Sequence, residues 1–158
     1  MGRIIKEFTA EACNERVEAT GKIDNGADRT VLQPELATAL GFDRSRAKPL
    51  HGRTASGQQM FGHAFRVKLT VDKRTAEVEA FVPAVAISAK GEVEAVDTRN
   101  LIGTDFLQGS GASLDYSKPH DQVFSGMPEF EIGGGWIDFD PPTHTPRRGT
   151  GPCRKRRR

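Results

Sequence analysis

Two runs of alternating apolar residues, set back to back, constrain this chain more than any other feature. Phe65, Val67, Leu69 and Val71 alternate with polar neighbours, and after Asp72-Lys73-Arg74 the alternation resumes at Ala76, Val78, Ala80 and Val82. A period of two marks strands with one buried face. A short polar break between two such strands turns the chain back as a hairpin. An all-helical fold is therefore excluded, and the remaining segments fit the same reading. Ile4, Ile5 and Phe8 open a strand-like segment. After a polar break at Cys13-Asn14-Glu15, Val17 to Ile23 reads as another strand. Leu101-Ile102-Gly103 is a short strand end, and Ala112 to Tyr116 one more strand.

Helical signals are few. Pro34 stands where a first helical residue is favoured, Leu36, Ala37 and Leu40 share a face, and Gly41 fits the stop, which predicts a helix over 34–40. Thr104 is expected to cap a turn of helix through Leu107, ahead of Gly109 and Gly111. Residues 49–62 carry three glycines between strand-like flanks, the composition of a mobile hairpin tip. Residues 89–99 are polar and read as a loop.

Charge divides the chain where its hydropathy pattern does. Residues 1–146 carry 16 Lys and Arg against 21 Asp and Glu, a balance of −5, whereas residues 147–158 carry 7 Lys and Arg and no acid. The basic end is Arg147-Arg148 and Arg154-Lys155-Arg156-Arg157-Arg158. Beyond Lys118, Pro119, Gly126, Pro128, Gly133-Gly134-Gly135, Pro141-Pro142 and Pro146 break any period. Phe130, Ile132, Trp136, Ile137 and Phe139 could form one hairpin or an apolar strip against the body. The expected organisation is an ordered domain over 1–118, an extension over 119–140, and a disordered Pro- and Arg-rich tail over 141–158. The tail could make weak contact with a polyanion, but it lacks the interleaved aromatics or folded basic face that base-specific recognition needs.

Cys13 and Cys153 are the two cysteines of the 158-residue chain, far apart and with one inside the basic tail. No disulfide framework and no metal-ligand spacing is expected from them, and a reducing, cytoplasmic setting is the default. Met1 to Glu7 meets charge too early for a signal-peptide core, no apolar run approaches a membrane span, and Lys6 breaks the myristoylation pattern.

The chemistry-bearing segment is Ile23-Asp24-Asn25-Gly26-Ala27-Asp28, a strand that ends in an acidic residue at a tight glycine turn. About eighty residues on comes Leu101-Ile102-Gly103-Thr104-Asp105-Phe106-Leu107. Between them lie Leu40-Gly41, the glycine-bearing hairpin with its tip near Ser56-Gly57, and the alternating strand pair. In that order these pieces resemble the retropepsin-like aspartic proteases, the single-lobe relatives of pepsin, over about residues 3–118. The resemblance implies an all-β, closed β-barrel lobe with one or two short helices, and neither metal nor other cofactor.

It also implies a catalytic role for Asp24. Aspartic proteolysis needs two carboxylates sharing one proton, one acting as base on water and the other as acid on the scissile carbonyl. One motif per chain implies a C2 homodimer that brings two Asp24 side chains together on a protein or peptide substrate. Asn25 and Gly26 complete the active-site loop by resemblance, with Ala27, Asp28, Ser56 and Gly57 contacting substrate, the last two from closing flaps. Two positions depart from the family pattern. Asn25 replaces the Thr or Ser whose hydroxyl bonds across the dimer axis, and Thr104 stands where viral members often carry an Arg that pairs with the acid matching Asp28. The Asn25 departure motivates an alternative, a catalytically silent binding or scaffold module.

Other readings of the same residues are weaker. Asn25-Gly26 is also a type I′ hairpin signal, but Arg29-Thr30 leads into a helix rather than a return strand. Asp24, Asp28, Thr30 and Glu35 fit some positions of a calcium loop, yet Arg29 stands where Gly is required and Pro34 interrupts. His51, His63, His120 and His144 are scattered, without metal spacing. Gly109-Ser110-Gly111 is no nucleophile elbow, and Gly133-Gly134-Gly135 lacks the Lys-Ser/Thr of a phosphate loop.

Overall fold

The computed structural model describes residues 4–54, 57–96, 99–112, 137–139 and 152–154. Strand β1 (Ile5–Ala12) and strand β2 (Glu15–Ile23) form an antiparallel hairpin about Cys13 and Asn14, both in the left-handed region at φ 52° and 62°. Helix α1 (Pro34–Ala39) follows with Pro34 in its first turn and Gly41 at φ 86° behind it, as its sequence predicts. Strand β3 (Pro49–Thr54) and the first part of β4 (Gln59–Val71) make the glycine-bearing hairpin. The second alternating run is β5 (Arg74–Ile87), paired with β4 along its whole length. The turn between them is Asp72-Lys73, with φ 45° and 66°, so Arg74 already belongs to the strand. Both hairpins use primed two-residue turns, whose twist matches that of the flanking strands.

Short pieces complete the order: β6 (Val93–Glu94), β7 (Leu101–Ile102), α2 (Thr104–Ser110) and β8 (Ile137–Phe139). The ladder runs β6-β5-β4-β1-β2-β7, with β3 and then β8 hung from the flap half of β4. The pair β2–β7 is parallel and the others are antiparallel.

The molecule is mainly β, as expected, but the sheet is not a closed barrel among the described residues. Its ladder ends at β6 and at the two-residue β7, which pairs with Lys22 and Ile23 of β2. Isolated bridges at Val31 span the gap. Val31 and Leu101 exchange N–H to O bonds of 2.9 Å, the Leu32 N–H donates to Phe81 O at 2.9 Å, and the Phe81 N–H donates to Thr30 O at 2.8 Å.

Strand β4 serves two cores. Phe65, Val67, Leu69 and Val71 pack with Phe8, Ile23, Leu36, Leu40, Val78 and Phe106 in the main cluster. Met60 and Ala64 face a smaller one with Val31, Leu50 and Phe81, below the hairpin. The buried phase changes between Ala64 and Phe65, so one long strand supports both the body and the flap base.

Two expectations about the C-terminal part are corrected. Cys13 and Cys153 form a disulfide, with Cα atoms 5.5 Å apart, an ordinary spacing for such a bond. Sequence separation concealed it, since the pairing is made by the fold rather than by local spacing. Disorder from Pro141 onward is overturned at Pro152–Arg154, which pairs beside Phe42: the Asp43 N–H donates to Pro152 O at 2.6 Å and the Arg154 N–H to Gly41 O at 2.7 Å. The rest of the tail, the strand expected over 112–116 beyond Ala112, and Phe130, Ile132 and Trp136 lie outside the described residues. Among the described residues no helix is long and apolar enough to cross a membrane.

Candidate active site

Strand β2 delivers Asp24 to the surface. The Asp24 N–H donates to Ile102 O at 2.8 Å, continuing the parallel pairing with β7 by one residue, and then the chain leaves the sheet. The Gly26 N–H donates to Asp24 Oδ1 at 2.9 Å and the Ala27 N–H to Asp24 O at 3.2 Å, so the loop turns about the carboxylate itself. A Cβ on Gly26 would lie 3.2 Å from that oxygen. Asp24 and Asn25 are half-buried, and Gly26 and Asp28 are exposed. The Asn25 Nδ2 is buried without an acceptor among the described residues. No return strand follows Gly26, so the hairpin reading of Asn25-Gly26 fails.

The start of α2 clamps this loop from beneath. Thr104 is the first helical residue and Gly103 the cap, which corrects the expected capping role of Thr104. Thr104 instead serves the loop, its N–H donating to Ala27 O at 2.8 Å and its Oγ1 to Asp28 O at 3.4 Å. Gly103 is required there, because a Cβ would stand 2.7 Å from both Ala27 O and Arg29 C. The side chain of Ala27 is 1% exposed, and both its backbone groups are engaged within the protein.

Asp105 is the functional residue that sequence reasoning passed over. Its carboxylate accepts from the Thr30 N–H at 3.0 Å, from Thr30 Oγ1 at 2.7 Å and from the Phe106 N–H at 2.8 Å. Thr30 is fully buried, and its Oγ1 also accepts from the Gly103 N–H at 3.2 Å. Burial pushes the Asp105 carboxyl above the usual aspartate range, against the pull of the Thr30 and Phe106 hydrogen bonds. The available signal was an acid in the first turn of a helix otherwise flanked by Ile102, Phe106 and Leu107. Its carboxylate holds the far end of the Asp24 loop.

Arg29 anchors the same loop to β5. Its Nη1 donates to Glu79 Oε1 at 2.9 Å and to Glu79 O at 3.2 Å, while Lys48 Nζ lies 3.4 Å from Glu79 Oε1. Burial raises the Glu79 pKa, but the Arg29 hydrogen bond and the charges of Lys48 and Arg29 outweigh it and hold the group below the usual glutamate range.

Five of the sequence-derived site residues, Asp24, Asn25, Gly26, Ala27 and Asp28, thus form one loop fixed to β5, β7 and α2. Gly57 sits apart from them at the tip of the β3–β4 hairpin with φ 86°, its N–H donating to Thr54 O at 3.0 Å. Ser56 lies outside the described residues. Among the described residues no group of three or more His, Cys, Asp and Glu side chains converges to hold a metal.

This order of an acidic loop, a short helix, a flap-like hairpin and a clamping helix agrees with a family comparison. The model of a family described as gag-polyprotein putative aspartyl protease matches residues 11–109. The chain belongs to this family. No curated protein matches it. The matched span runs from the end of β1 to the last turn of α2, so it takes in the Asp24 loop, the flap hairpin and Asp105. The β8 strand and the Cys153 clasp lie beyond it.

Proposed function

We propose that the chain is an aspartic endopeptidase that works as a C2 homodimer. Water is activated between the Asp24 carboxylates of two subunits, one acting as base and the other as acid on the scissile carbonyl of a protein or peptide substrate. The observation that carries this reading is the Asp24 loop itself: a half-exposed carboxylate at a strand end, on backbone pinned by Ile102, Thr104 and Asp105. Such fixing is what positions a charge for catalysis without reorganisation cost. Family membership supports peptidase chemistry in general.

Asn25 supports the dimer. A buried amide without an acceptor costs about 1–3 kcal/mol, and a second copy of the loop across a two-fold axis would supply one. Asn25 and Gly26 then shape the paired loops. Asp28, together with Ser56 and Gly57 from the flap, contacts substrate, whereas Ala27, expected by resemblance to do the same, is buried with its backbone engaged and supports the loop instead. The 147–158 tail supplies at most a weak contact with polyanions.

The test is cleavage of a peptide library between about pH 4 and 7, the range in which a shared-proton carboxylate pair operates. Asp24→Asn should abolish cleavage while leaving the fold intact; equal cleavage by both proteins would sink the proposal. A second reading, the silent binding or scaffold module, draws on Asn25 standing in the hydroxyl position. It predicts an inactive wild type that Asn25→Thr awakens, and an already active wild type removes its basis.

A further inference from the structure

The flap strand β3 has two neighbours. One is β4, its hairpin partner, and the other is β8, which comes from the C-terminal extension and pairs Ile137 with Thr54, Asp138 with Arg53 and Phe139 with Gly52. This second pairing occupies the outer hydrogen-bonding edge of the flap, up to the residue where its tip begins. A strand of three residues, at the short end of the usual range, makes only a short ladder on that edge. Tethering of its two ends makes the pairing an intramolecular event.

One tether is the chain from α2. The other is Cys153, fixed on the opposite side of the extension by its disulfide to Cys13 and by the Pro152 and Arg154 backbone bonds to Asp43 and Gly41. The clasp packs closely on the body: a Cβ on Gly41 would lie 3.0 Å from the Cβ of Cys13, and Gly41 has φ 86°, which favours glycine. Cys13 and Cys153 are both half-buried, with Cys13 packed against the rim of the main core.

We propose that the Cys13–Cys153 disulfide is a redox latch that keeps β8 on the flap edge, and that its reduction releases β8 and frees the flap. The chemistry is thiol–disulfide exchange with a dithiol reductant. A thiolate of the reductant attacks one sulfur and the other cysteine leaves as a thiolate. The second thiol of the reductant then resolves the mixed disulfide, so the protein gains two electrons and two protons and the dithiol becomes a disulfide. Without the covalent bond, the few backbone bonds at 152–154 and the short ladder at β8 no longer support one another. Flap opening is a gating step in enzymes of this layout, so the consequence for turnover rests on the proteolytic reading above. The latch itself does not.

Hydrogen–deuterium exchange on the full chain tests it, with oxidised protein, protein reduced by dithiothreitol, and Cys153→Ser. The oxidised protein should protect residues 137–139 and 52–54. Reduction and Cys153→Ser should each speed exchange there by about tenfold or more, while the β1, β4 and β5 core amides stay unchanged. Running the same comparison on Asp24→Asn separates the latch from catalysis, since an inactive protein still reports on β8. Where the protein cleaves peptides, kcat should rise on reduction in the wild type and be insensitive to reductant in Cys153→Ser. Equal protection in all three forms, or free thiols at Cys13 and Cys153 in protein purified without reductant, would overturn the latch.

Discussion

The Asp24 loop and the β3–β4 flap are both short, glycine-bearing departures from the same sheet, yet they are held in opposite ways. The loop is tied to three other elements: to β7 through Ile102, to α2 through Thr104 and Asp105, and to β5 through Glu79 and Phe81. The flap is held by sheet pairing, of β3 with β4 and the three residues of β8 and of residues 59–61 with 85–87 of β5. Its tip closes on itself through Thr54, Gly57 and Gln58, with a side-chain bond outward from Gln58 Nε2 to Glu94 Oε2. Even the glycines differ. Gly103 is wedged against loop backbone, whereas Gly57 supplies a left-handed turn with, among the described residues, only the Ala89 Cβ near the position its own Cβ would take. A carboxylate that must meet a substrate carbonyl needs fixed backbone, and a cover that admits the substrate needs backbone free to move. Substitutions that act on one region and spare the other test this division.

The largest effect should come from Gly103→Ala. The added Cβ would meet Ala27 O, Arg29 C and Arg29 O within 2.9 Å, all backbone atoms of the pinned loop. None can swing aside as a side-chain end would, so the expected cost is about 3 kcal/mol, measured by urea unfolding. Exchange at the flap amides should stay as in the wild type. If the variant is as stable as the wild type, the loop is not clamped as described.

Asp105→Asn should cost somewhat less, about 2 kcal/mol near neutral pH, because the amide offers one acceptor oxygen where the carboxylate uses two and turns an N–H toward the Thr30 N–H. Its pH dependence identifies the cause. The folded pKa of Asp105 lies above its unfolded value, so the native state holds this proton more tightly. The contribution to stability is fully present below the unfolded value and is lost as pH rises through the raised folded one. The deficit of the variant relative to wild type should therefore be largest in acid and shrink as pH rises through that window. Glu79 behaves oppositely: its lowered folded pKa gives stability present above the ordinary glutamate value and lost as pH falls through the folded one. Unfolding midpoints over a pH series separate the two, and a deficit that grows with pH would contradict the assignment to Asp105.

How much of this was legible depended on whether an interaction is local. The alternation at Phe65–Val71 and Ala76–Val82 is a local pattern, and it located β4 and β5 and the faces they bury. Pro34 and Gly41 bracketed α1 for the same reason. The Asp24 loop was visible because strand, acid and glycine are adjacent in the chain. Asp105 has no task legible in its motif, since its partner Thr30 is brought to it only by the fold. The Cys13–Cys153 pair was missed for the same reason: nothing near either cysteine signals the other, and the bond forms only because the tail returns to Gly41 and Asp43. Barrel closure is implied by resemblance, whereas among the described residues single bridges at Val31 span the gap instead.

The smallest effect is expected at the flap tip, and it sharpens the comparison from the other side. Gly57 has φ 86°, a region that costs an L-residue about 1 kcal/mol. Apart from Ala89 Cβ at an ordinary 3.4 Å, no heavy atom of the described residues beyond its chain neighbours lies within 4 Å of the Cβ that alanine would bring, so their packing adds nothing to that cost. Because the tip packs on no core cluster, Gly57→Ala should relieve its strain by opening the Thr54–Gly57 turn rather than by unfolding the domain. The unfolding midpoint should then move by less than the local cost, while exchange at the Gly57 and Gln58 amides rises several-fold. In Gly103→Ala the whole cost should appear in global stability. A Gly57→Ala variant that loses as much global stability as Gly103→Ala would mean that the flap is coupled to the core as tightly as the loop, and the division drawn between them would fail.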